Sequence, residues 1–246
     1  MLVSVGNYRW MPGYLRQIHM DNISTALEGL DPIAAMQYLA AQFPGAVAFS
    51  TSFGQEDQVI ADMIWRANLP IRVFTLDTGR LFQETYDLMD LTRARYKKPF
   101  EVYFPETASV EKLLLEKGPN SFYESVENRK ECCNIRKVVP LNRALTGVKV
   151  WITGLRAEQS ENRQSLHAIE WDESRQLYKY NPLINWTYDE MINYLKEKNV
   201  PYNKLHDQGF ISIGCAPCTR AIEPGEHPRA GRWWWELSKK ECGLHG

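Results

Sequence analysis

Short apolar runs alternate with amphipathic segments over the first two thirds of the chain. The runs that predict β-strands are residues 46–50, 71–76, 101–104 and 148–153. Helices are predicted at residues 32–42, 110–117 and 133–145, from the helical spacing of apolar residues 59, 60, 63 and 64, and from the turn at 77–80 to about residue 96. Asp31 before Pro32 adds a helix start signal, an N-cap followed by proline at the first helical position. This alternation predicts an α/β fold with a mostly parallel, doubly wound sheet.

The pattern changes after Gly154. Residues 168–171 and 177–180 flank a polar stretch and predict a hairpin, and Thr187 with Glu190 predicts a capping box that opens a helix. Beyond Pro201 the periodicity fades and glycines and prolines accumulate, which is typical of loops. We therefore expect three parts: a lead-in segment at residues 1–30, an α/β domain at 31–205, and a loop-rich C-terminal tail at 206–246 that belongs to the same domain.

Composition narrows the choice of partners and compartment. The formal net charge of -1 gives no global reason to expect nucleic acid or an anionic membrane as a partner. No run is apolar for the roughly 18 residues of a membrane span, and the N-terminus lacks a secretion signal. Five cysteines in clusters are a poor disulfide framework and favour metal ligation or thiol chemistry. The sequence predicts a cytoplasmic protein and leaves its oligomeric state open, a homo-oligomer included.

A polar loop follows the first predicted strand and precedes a helix. Ligands of open parallel sheets bind at such strand ends, and the helix N-terminus offers free N–H groups to an anion. Ser50, Thr51 and Ser52 add hydroxyls, and Gly54 permits close backbone approach. A phosphate site is one interpretation of this loop, and an ordinary capped turn is the other.

The cysteines form two close pairs and one isolated residue. Cys132 and Cys133 are predicted at the start of a helix, and Cys215 and Cys218 lie in a loop. Four thiolates can hold zinc or a four-iron cluster, and the adjacent pair favours the cluster because zinc sites usually use spaced pairs. Cys242 stands near the C-terminus beside two lysines and a histidine, which favour the reactive thiolate. It is the best candidate nucleophile in the chain.

Positively charged residues accompany these motifs in the predicted loops. Guanidinium groups bind oxyanions through paired hydrogen bonds, although any one of these residues, taken singly, is more often a solvated surface charge. The candidates for an anion clamp are Lys137, Arg156, Arg163, Arg220, Arg229 and Arg232.

Together these motifs resemble the adenylyl-sulfate and phosphoadenylyl-sulfate reductases. Residues 52–57, 76–80 and 154–156 are similar to the family's pyrophosphate loop, second substrate loop and arginine loop. The two cysteine pairs resemble the ligands of the subgroup that carries a [4Fe-4S] cluster, and residues 241–245 resemble the C-terminal catalytic signature. The resemblance implies the adenine-nucleotide α hydrolase-like fold.

The resemblance also implies a reaction and roles for the residues. Cys242 attacks the sulfur of adenylyl sulfate, AMP leaves, and thioredoxin or a glutaredoxin-like dithiol releases sulfite from the S-sulfocysteine. Cys132, Cys133, Cys215 and Cys218 are the implied cluster ligands. The implied substrate-binding residues are Ser50, Thr51, Ser52, Gly54, Asp77, Thr78, Gly79, Arg80, Lys137, Gly154, Arg156, Arg229, Arg232 and His245.

Three alternatives remain at this stage. The same reaction on 3'-phosphoadenylyl sulfate needs only one or two further donors. An ATP pyrophosphatase-type tRNA-thiolation enzyme has a related phosphate loop, but Phe53 and Asp57 depart from its usual pattern. In a zinc-binding nucleotide sensor, Cys242 would be dispensable.

Overall fold

The computed structural model describes residues 13–159 and 166–236 of the chain. The chain divides into two compact units. The first unit comprises Met1–Ser50, Glu56–Val73 and Gly147–Val200, and the second comprises Thr51–Gln55, Phe74–Thr146 and Pro201–Gly246. None of the helices in the described ranges is long and apolar enough to cross a membrane.

The strands alternate with helices as predicted. The strands are β1 (Val47–Thr51), β2 (Arg72–Leu76), β3 (Glu101–Tyr103), β4 (Val150–Ile152), β5 (Ile169–Asp172) and β6 (Leu177–Tyr180). The helices are α1 (Gly13–Leu27), α2 (Pro32–Gln42), α3 (Gln55–Arg66), α4 (Gln83–Tyr96), α5 (Thr107–Lys117), α6 (Val126–Cys133), α7 (Val139–Ala144) and α8 (Tyr188–Glu197). The sheet order is β3-β2-β1-β4-β6-β5. Pairing is parallel from β1 to β4, β4 to β6 and β2 to β3, and β5 runs antiparallel to β6. The predicted α/β class is confirmed.

The first unit folds around an apolar sheet centre. The side chains of Val150, Trp151 and Ile152 on β4 are almost completely buried, which is typical of a strand covered on both faces. Asp31 caps α2 through bonds from the Ile33 and Ala34 N–H groups, as its position before Pro32 predicts. The capping box of Thr187 and Glu190 at the start of α8 is also confirmed.

The second unit depends more on loops and aromatic contacts. After Pro201 the described chain contains short 3₁₀ turns and an isolated bridge from Thr219 to Arg232, as the loss of periodicity predicts. Trp233 is buried at 1% exposure whereas Trp234 is 40% exposed, so the tryptophan run divides between packing and surface. The apolar contacts of Trp233 stabilise a region that regular secondary structure does not hold.

Two local predictions differ from the structure. The lead-in segment contains α1, which the weak apolar periodicity of its sequence did not reveal. The helix predicted from Cys133 is also wrong in its start, because Ser125 caps α6 seven residues before Cys132 and the helix then widens into a π-helical segment, Asn134–Val138. The first cysteine pair therefore ends a helix and does not begin one.

Candidate active site

A tight turn follows β2 and is fixed by its own side chains. The Asp77 carboxylate accepts hydrogen bonds from the Gly79 N–H at 2.7 Å and from the Tyr86 hydroxyl at 2.9 Å. The Thr78 hydroxyl accepts from the Arg80 N–H at 3.2 Å. Gly79 has φ +70°, a conformation that glycine adopts without strain. Asp77 thus shapes this turn, for which the family resemblance implies substrate binding.

The turn contacts the second cysteine pair directly. The Thr78 hydroxyl lies 3.3 Å from Cys215 Sγ, and the Ala216 N–H donates to the Arg80 carbonyl at 2.8 Å. The Arg80 guanidinium stacks on the Phe122 ring at 4.9 Å. It also donates to the Pro119 carbonyl and to Asn120 Oδ1. The charge of Arg80 is therefore oriented by the protein before any ligand is bound.

The first cysteine pair lies where α6 passes into the π-helical segment. Insertions of this kind interrupt the regular helical spacing and are frequent at functional sites. Arg136, within the segment, donates to the Thr78 carbonyl at 2.6 Å and hydrogen-bonds to the Cys132 side chain. Arg136 thereby joins the first cysteine pair to the turn after β2.

The four cysteines are gathered in the second unit as thiols. Cys215 and Cys218 pack with Phe122 and Trp233, and Cys132 packs against this cluster. Cys133 interacts electrostatically with Cys218. Within the described ranges, no three His, Cys, Asp or Glu side chains are placed to hold one metal ion together.

The electrostatic environment shifts the pKa values of the thiols in different directions. Burial opposes ionisation of Cys215, but Lys137, the Thr78 hydrogen bond and the charges of Arg232 and Arg136 outweigh it, so the pKa of Cys215 is lowered. Burial, with the neighbouring Cys215, raises the pKa of Cys218 to about 12. Burial likewise raises the pKa of Cys132. The positive charges of this region therefore favour one thiolate in an otherwise apolar cluster.

Arg232 is buried beside the second cysteine pair. Its guanidinium donates to the Ile213 carbonyl at 3.2 Å and lies over the Trp233 ring at 4.8 Å. A β-carbon on Gly214 would overlap this guanidinium, so glycine is required for the close approach. Arg229, three residues earlier, contributes its carbonyl to the Arg232 N–H. Arg232 is held in a specific orientation by the chain around it.

Buried N–H groups near the thiols have no hydrogen-bond partner among the described residues. They are Arg136 Nε, Arg232 Nε and Trp235 Nε1. Burying a polar group without a partner costs free energy, so such groups in native proteins call for an unseen acceptor. All three residues have neighbours in the thiol cluster: Arg136 bonds to Cys132, Arg232 acts on Cys215, and Trp235 packs against the cluster that contains Cys215 and Cys218. The donors are suited to an acceptor with negative charge.

The loop after β1 is built on backbone strain and a local hydrogen bond. The Thr51 hydroxyl accepts from the Phe53 N–H at 3.0 Å. Phe53 has φ +61°, which is unfavourable for a residue other than glycine, and its side chain is anchored against Phe100 at 5.3 Å. Ser52 is exposed and Gly54 partly so, whereas Ser50, in the first unit, accepts a bond from Trp151. The structure shows a fixed turn with accessible residues at Ser52 and Gly54.

Arg156, in the first unit, already has carboxylate partners. Its guanidinium pairs with Glu56 at 3.0 Å and with Glu158 at 2.9 Å, and it donates to the Trp186 carbonyl. A β-carbon on Gly154 would overlap the Asp57 carboxylate, so a larger residue there would require that carboxylate to move. The role of Arg156 as an anion clamp stays a prediction, and the observed contacts show it stabilising its own loop.

Sequence reasoning missed a buried ion pair in the second unit. Arg129 on α6 pairs with Glu236 through two hydrogen bonds of 2.8 and 2.9 Å, with both side chains almost completely buried. The two residues are 107 positions apart, and a charged residue in an amphipathic helix gives no signal of such a partner. Cys242, His245 and Arg163 lie outside the described residues.

The second unit thus brings together several predicted site residues that are distant in sequence. They are Asp77, Thr78, Gly79, Arg80, Cys132, Cys133, Lys137, Cys215, Cys218 and Arg232. Positive charge, oriented backbone and soft thiols occupy one region. This combination can bind an anion beside sulfur chemistry.

Known proteins match both the sequence and the fold. Residues 46–221 match the family described as phosphoadenosine phosphosulfate reductase domain. An adenosine 5'-phosphosulfate reductase of Burkholderia cepacia is 52% identical over 200 residues, covering 81% of this chain and 80% of that protein. One from Agrobacterium fabrum is 48% identical over 225 residues, covering 91% and 86%.

A solved structure agrees with this assignment. The phosphoadenylyl-sulfate reductase of Candida auris, solved as a phosphate complex, superposes with a TM-score of 0.72 at 33% identity, covering 84% of this chain and 97% of that one. A Candida glabrata FMN adenylyltransferase mutant shares the fold alone, with a TM-score of 0.52 at 15% identity. Family membership favours a reductase over the ATP pyrophosphatase-type enzyme and the sensor. This chain belongs to the adenylyl-sulfate and phosphoadenylyl-sulfate reductase family of oxidoreductases.

Proposed function

We propose that this chain reduces adenylyl sulfate to sulfite and AMP in sulfate assimilation, with a reduced dithiol protein as the electron donor. The similar curated proteins are named adenosine 5'-phosphosulfate reductase. Their alignments with this chain cover 78–86% of their length. The observation that supports the proposal best is the contact of the Asp77–Arg80 turn with the cysteine pairs, through Thr78, Cys215 and Arg136. An anion-binding turn and a sulfur-rich cluster are what this reaction needs in one place.

The first step transfers the sulfonate group to the protein. The Cys242 thiolate attacks the sulfur of adenylyl sulfate, a sulfur–sulfur bond forms, and the bond from sulfur to the phosphate oxygen breaks. AMP leaves with the electron pair of that bond. Sulfonyl transfer develops charge on the surrounding oxygens, as phosphoryl transfer does, so fixed positive groups accelerate it.

The second step releases sulfite by thiol exchange. A thiolate of thioredoxin or a glutaredoxin-like dithiol attacks Cys242 Sγ, and sulfite departs with the electron pair of the sulfur–sulfur bond. The second thiol of the donor then displaces Cys242 and forms the donor's disulfide. The dithiol supplies both electrons, so the overall change from adenylyl sulfate to sulfite is balanced.

The charged side chains have assigned roles in this proposal. We assign Lys137, Arg232, Arg229 and His245 to the substrate's sulfate and phosphate groups, and the clamp role that the resemblance implies for Arg156 stays a prediction. Support is strongest for Lys137 and Arg232, because both charges act on Cys215 within the thiol cluster. It is weakest for Arg156, whose guanidinium is paired with Glu56 and Glu158.

The donor set of the thiol cluster fits a [4Fe-4S] group. Zinc requires its ligands to converge on one ion, whereas each thiolate of a four-iron cluster binds a different iron. The adjacent Cys132 and Cys133 suit the second arrangement, because zinc sites usually use spaced pairs. The unpartnered N–H groups of Arg136, Arg232 and Trp235 suit a negatively charged group with sulfide acceptors. Cys132, Cys133, Cys215 and Cys218 would hold it.

The cluster, when bound, would supply structural order and a local field while the dithiol supplies the electrons. Metal analysis tests this assignment. We expect iron and acid-labile sulfide at about four each per chain in anaerobically purified protein. Zinc at one per chain, with iron absent, would contradict it.

The remaining partners follow from the same proposal. We place the reaction in the cytoplasm, where dithiol proteins are kept reduced. The substrate is adenylyl sulfate, and 3'-phosphoadenylyl sulfate is the alternative. Neither a nucleic acid nor a membrane takes part in the proposed reaction.

The test of the function is anaerobic turnover with reduced thioredoxin. Sulfite and AMP should appear in equal amounts from adenylyl sulfate, and kcat/KM should be lower with 3'-phosphoadenylyl sulfate. AMP without sulfite would indicate hydrolysis and contradict the proposal. A preference for the 3'-phosphorylated nucleotide would reverse the substrate assignment and leave the chemistry intact.

A further inference from the structure

The Arg129–Glu236 ion pair is an unusual feature of the second unit because both partners are buried. Their side chains are 2% and 3% exposed. Taking two charges out of water is costly, and such a pair is weak evidence of a gain in stability over apolar residues. A buried bidentate pair does fix direction, because the planar guanidinium and the carboxylate match in only a few arrangements. Its geometry therefore suggests a role in placing the segments that carry it.

The pair joins both cysteine pairs to one short segment. Arg129 is on α6 and hydrogen-bonds to the side chain of Cys133 at the end of that helix. Its guanidinium also lies over the Trp233 ring at 4.7 Å. The Trp233 N–H donates to the Cys218 carbonyl at 3.2 Å, and the Glu236 N–H donates to the Trp233 carbonyl at 2.9 Å. Helix, cysteine loop and Glu236 are thus connected by consecutive contacts.

Cys242 follows Glu236 by only a few residues in the sequence. The place where Glu236 is held therefore sets the point from which the C-terminal segment departs. The rate of a reaction between two positioned groups depends steeply on their relative placement, and a shift of about 1 Å can cost about 100-fold. An anchor next to both cysteine pairs would place this point relative to the proposed substrate site.

We propose that the Arg129–Glu236 pair is a positioning device for sulfonyl transfer, which fixes the departure point of the segment that carries Cys242. The inference rests on the proposed function and extends it to two residues outside the predicted site. Arg129 and Glu236 act through Cys242 and do not contact the substrate. Loss of the pair should therefore slow transfer while substrate affinity and metal content persist.

The test is single turnover of the Arg129→Met/Glu236→Met double variant. This change removes both charges together, and apolar replacement of a buried ion pair is often neutral for stability. Anaerobic protein is mixed with adenylyl sulfate without dithiol, and intact mass spectrometry follows the sulfonate adduct with time. We expect the rate constant to fall about tenfold or more, with iron per chain and the Kd for AMP unchanged.

A matched control removes an ion pair remote from Glu236 in sequence. Asp172, the last residue of β5, and Arg175, in the turn before β6, pair at 2.8 Å and are largely buried. Their double methionine variant should form the adduct at the wild-type rate. Should the Arg129/Glu236 double variant fail to fold, Arg129→Lys keeps the charge but loses the bidentate fork, and a rate several-fold below wild type is expected.

The outcomes are distinct. The inference would be overturned if the iron-replete double variant formed the adduct at the wild-type rate. If the double variant does not fold, a wild-type rate of adduct formation in Arg129→Lys would overturn it. Loss of iron from the variant would overturn it too, because the pair would then support the cysteine helix. Absence of an adduct on the wild-type protein would instead refute the proposed function itself.

Discussion

Arg156 in the first unit and Arg136 and Arg232 in the second are buried arginines with opposite kinds of partner, while Arg129 of the second unit is paired with Glu236. In the first unit, Arg156 meets the carboxylates of Glu56 and Glu158, so its charge is balanced by its own loop. In the second unit, Arg136 and Arg232 donate to backbone carbonyls, and neither pairs with a carboxylate of the described residues. Their charges act on the thiols of the cysteine cluster.

This difference distinguishes an arginine that stabilises its own loop from arginines that are available to bind a ligand. An arginine with two carboxylate partners stabilises a loop and has little uncompensated charge for a ligand. Arginines oriented by carbonyls keep their charge, and buried charge without a partner is costly unless an anion completes the site. The second unit is therefore where we expect anion and sulfur chemistry. Substitution of its arginines should lower kcat/KM, whereas substitution of Arg156 in the first unit should lower the free energy of unfolding.

The largest effect is expected at Arg232. Arg232→Met removes an oriented positive charge, and loss of one such donor in a transition state typically costs about 100-fold or more in rate. We expect kcat/KM for adenylyl sulfate to fall by that factor while the unfolding midpoint changes little. Arg143→Met, which removes a half-exposed guanidinium in the same unit, is the control and should keep wild-type kinetics. Equal losses in both variants would remove the distinction.

The next effect is expected at Arg156 and should appear in stability. Arg156→Met leaves the partly buried Glu56 without its partner, and breaking a buried pair costs about 3 kcal/mol. Urea unfolding should show this loss of free energy of unfolding. Glu56→Gln provides the complementary variant and should lose less, because Arg156 keeps Glu158. If Arg156→Met instead keeps full stability and raises KM strongly, Arg156 binds the substrate and the comparison between the units is wrong.

A smaller effect is expected from crowding Arg232. Gly214→Ala introduces a β-carbon where the guanidinium lies, so Arg232 must move. We expect about a tenfold loss of kcat/KM, less than removal of the charge itself, since a displaced group still contributes. Gly118→Ala is the control, because it adds strain at φ +77° without a neighbour within 4 Å. A variant of Gly214 with normal kinetics would show that the exact placement of Arg232 is unimportant.

The smallest effect concerns pH in the first unit. Burial lowers the pKa of His19 below its ordinary value of 6.5, and its Nδ1 lies 2.6 Å from the Tyr178 hydroxyl. Below that value the unfolded chain binds a proton that the folded chain takes up only at lower pH. The stabilising contribution of neutral His19 is thus complete above 6.5 and declines as the pH falls through the lowered pKa.

The measurement compares urea midpoints of wild type and His19→Phe at about pH 7.5 and 5.5. The wild type should lose more stability than the variant between the two values. A parallel decline in both proteins would show that His19 contributes no pH dependence.

The sequence predicts the regular elements well because their signals are local. The N-cap of Asp31 and the capping box of Thr187 depend on neighbours within a few residues, and both are present in the structure. The start of α6 was misplaced because a helix that continues into a π-helical segment keeps helical composition throughout, and the widening near Cys133 leaves no pattern in the sequence. The positive φ of Phe53 is equally invisible, since the buried contacts that hold it come from distant positions.

In the candidate site too, local motifs can be read from the sequence and long-range contacts cannot. The cysteine pairs and the turn residues have recognisable motifs, so the sequence could name Thr78 and Cys215 as candidates. The contact between these two residues joins positions that are 137 residues apart in the chain, so only the structure reveals it. The carboxylate partners of Arg156 and the pairing of Arg129 with Glu236 are likewise long-range facts. Long-range pairs decide which charges are balanced, and single-sequence patterns do not record them.

The most direct test of the central claim is intact mass spectrometry after anaerobic incubation with adenylyl sulfate and no dithiol. Iron-replete wild-type protein should gain one sulfonate group, Cys242→Ser should gain none, and added thioredoxin should remove the adduct as sulfite. An unmodified wild-type protein, or the same adduct on Cys242→Ser, would contradict the account.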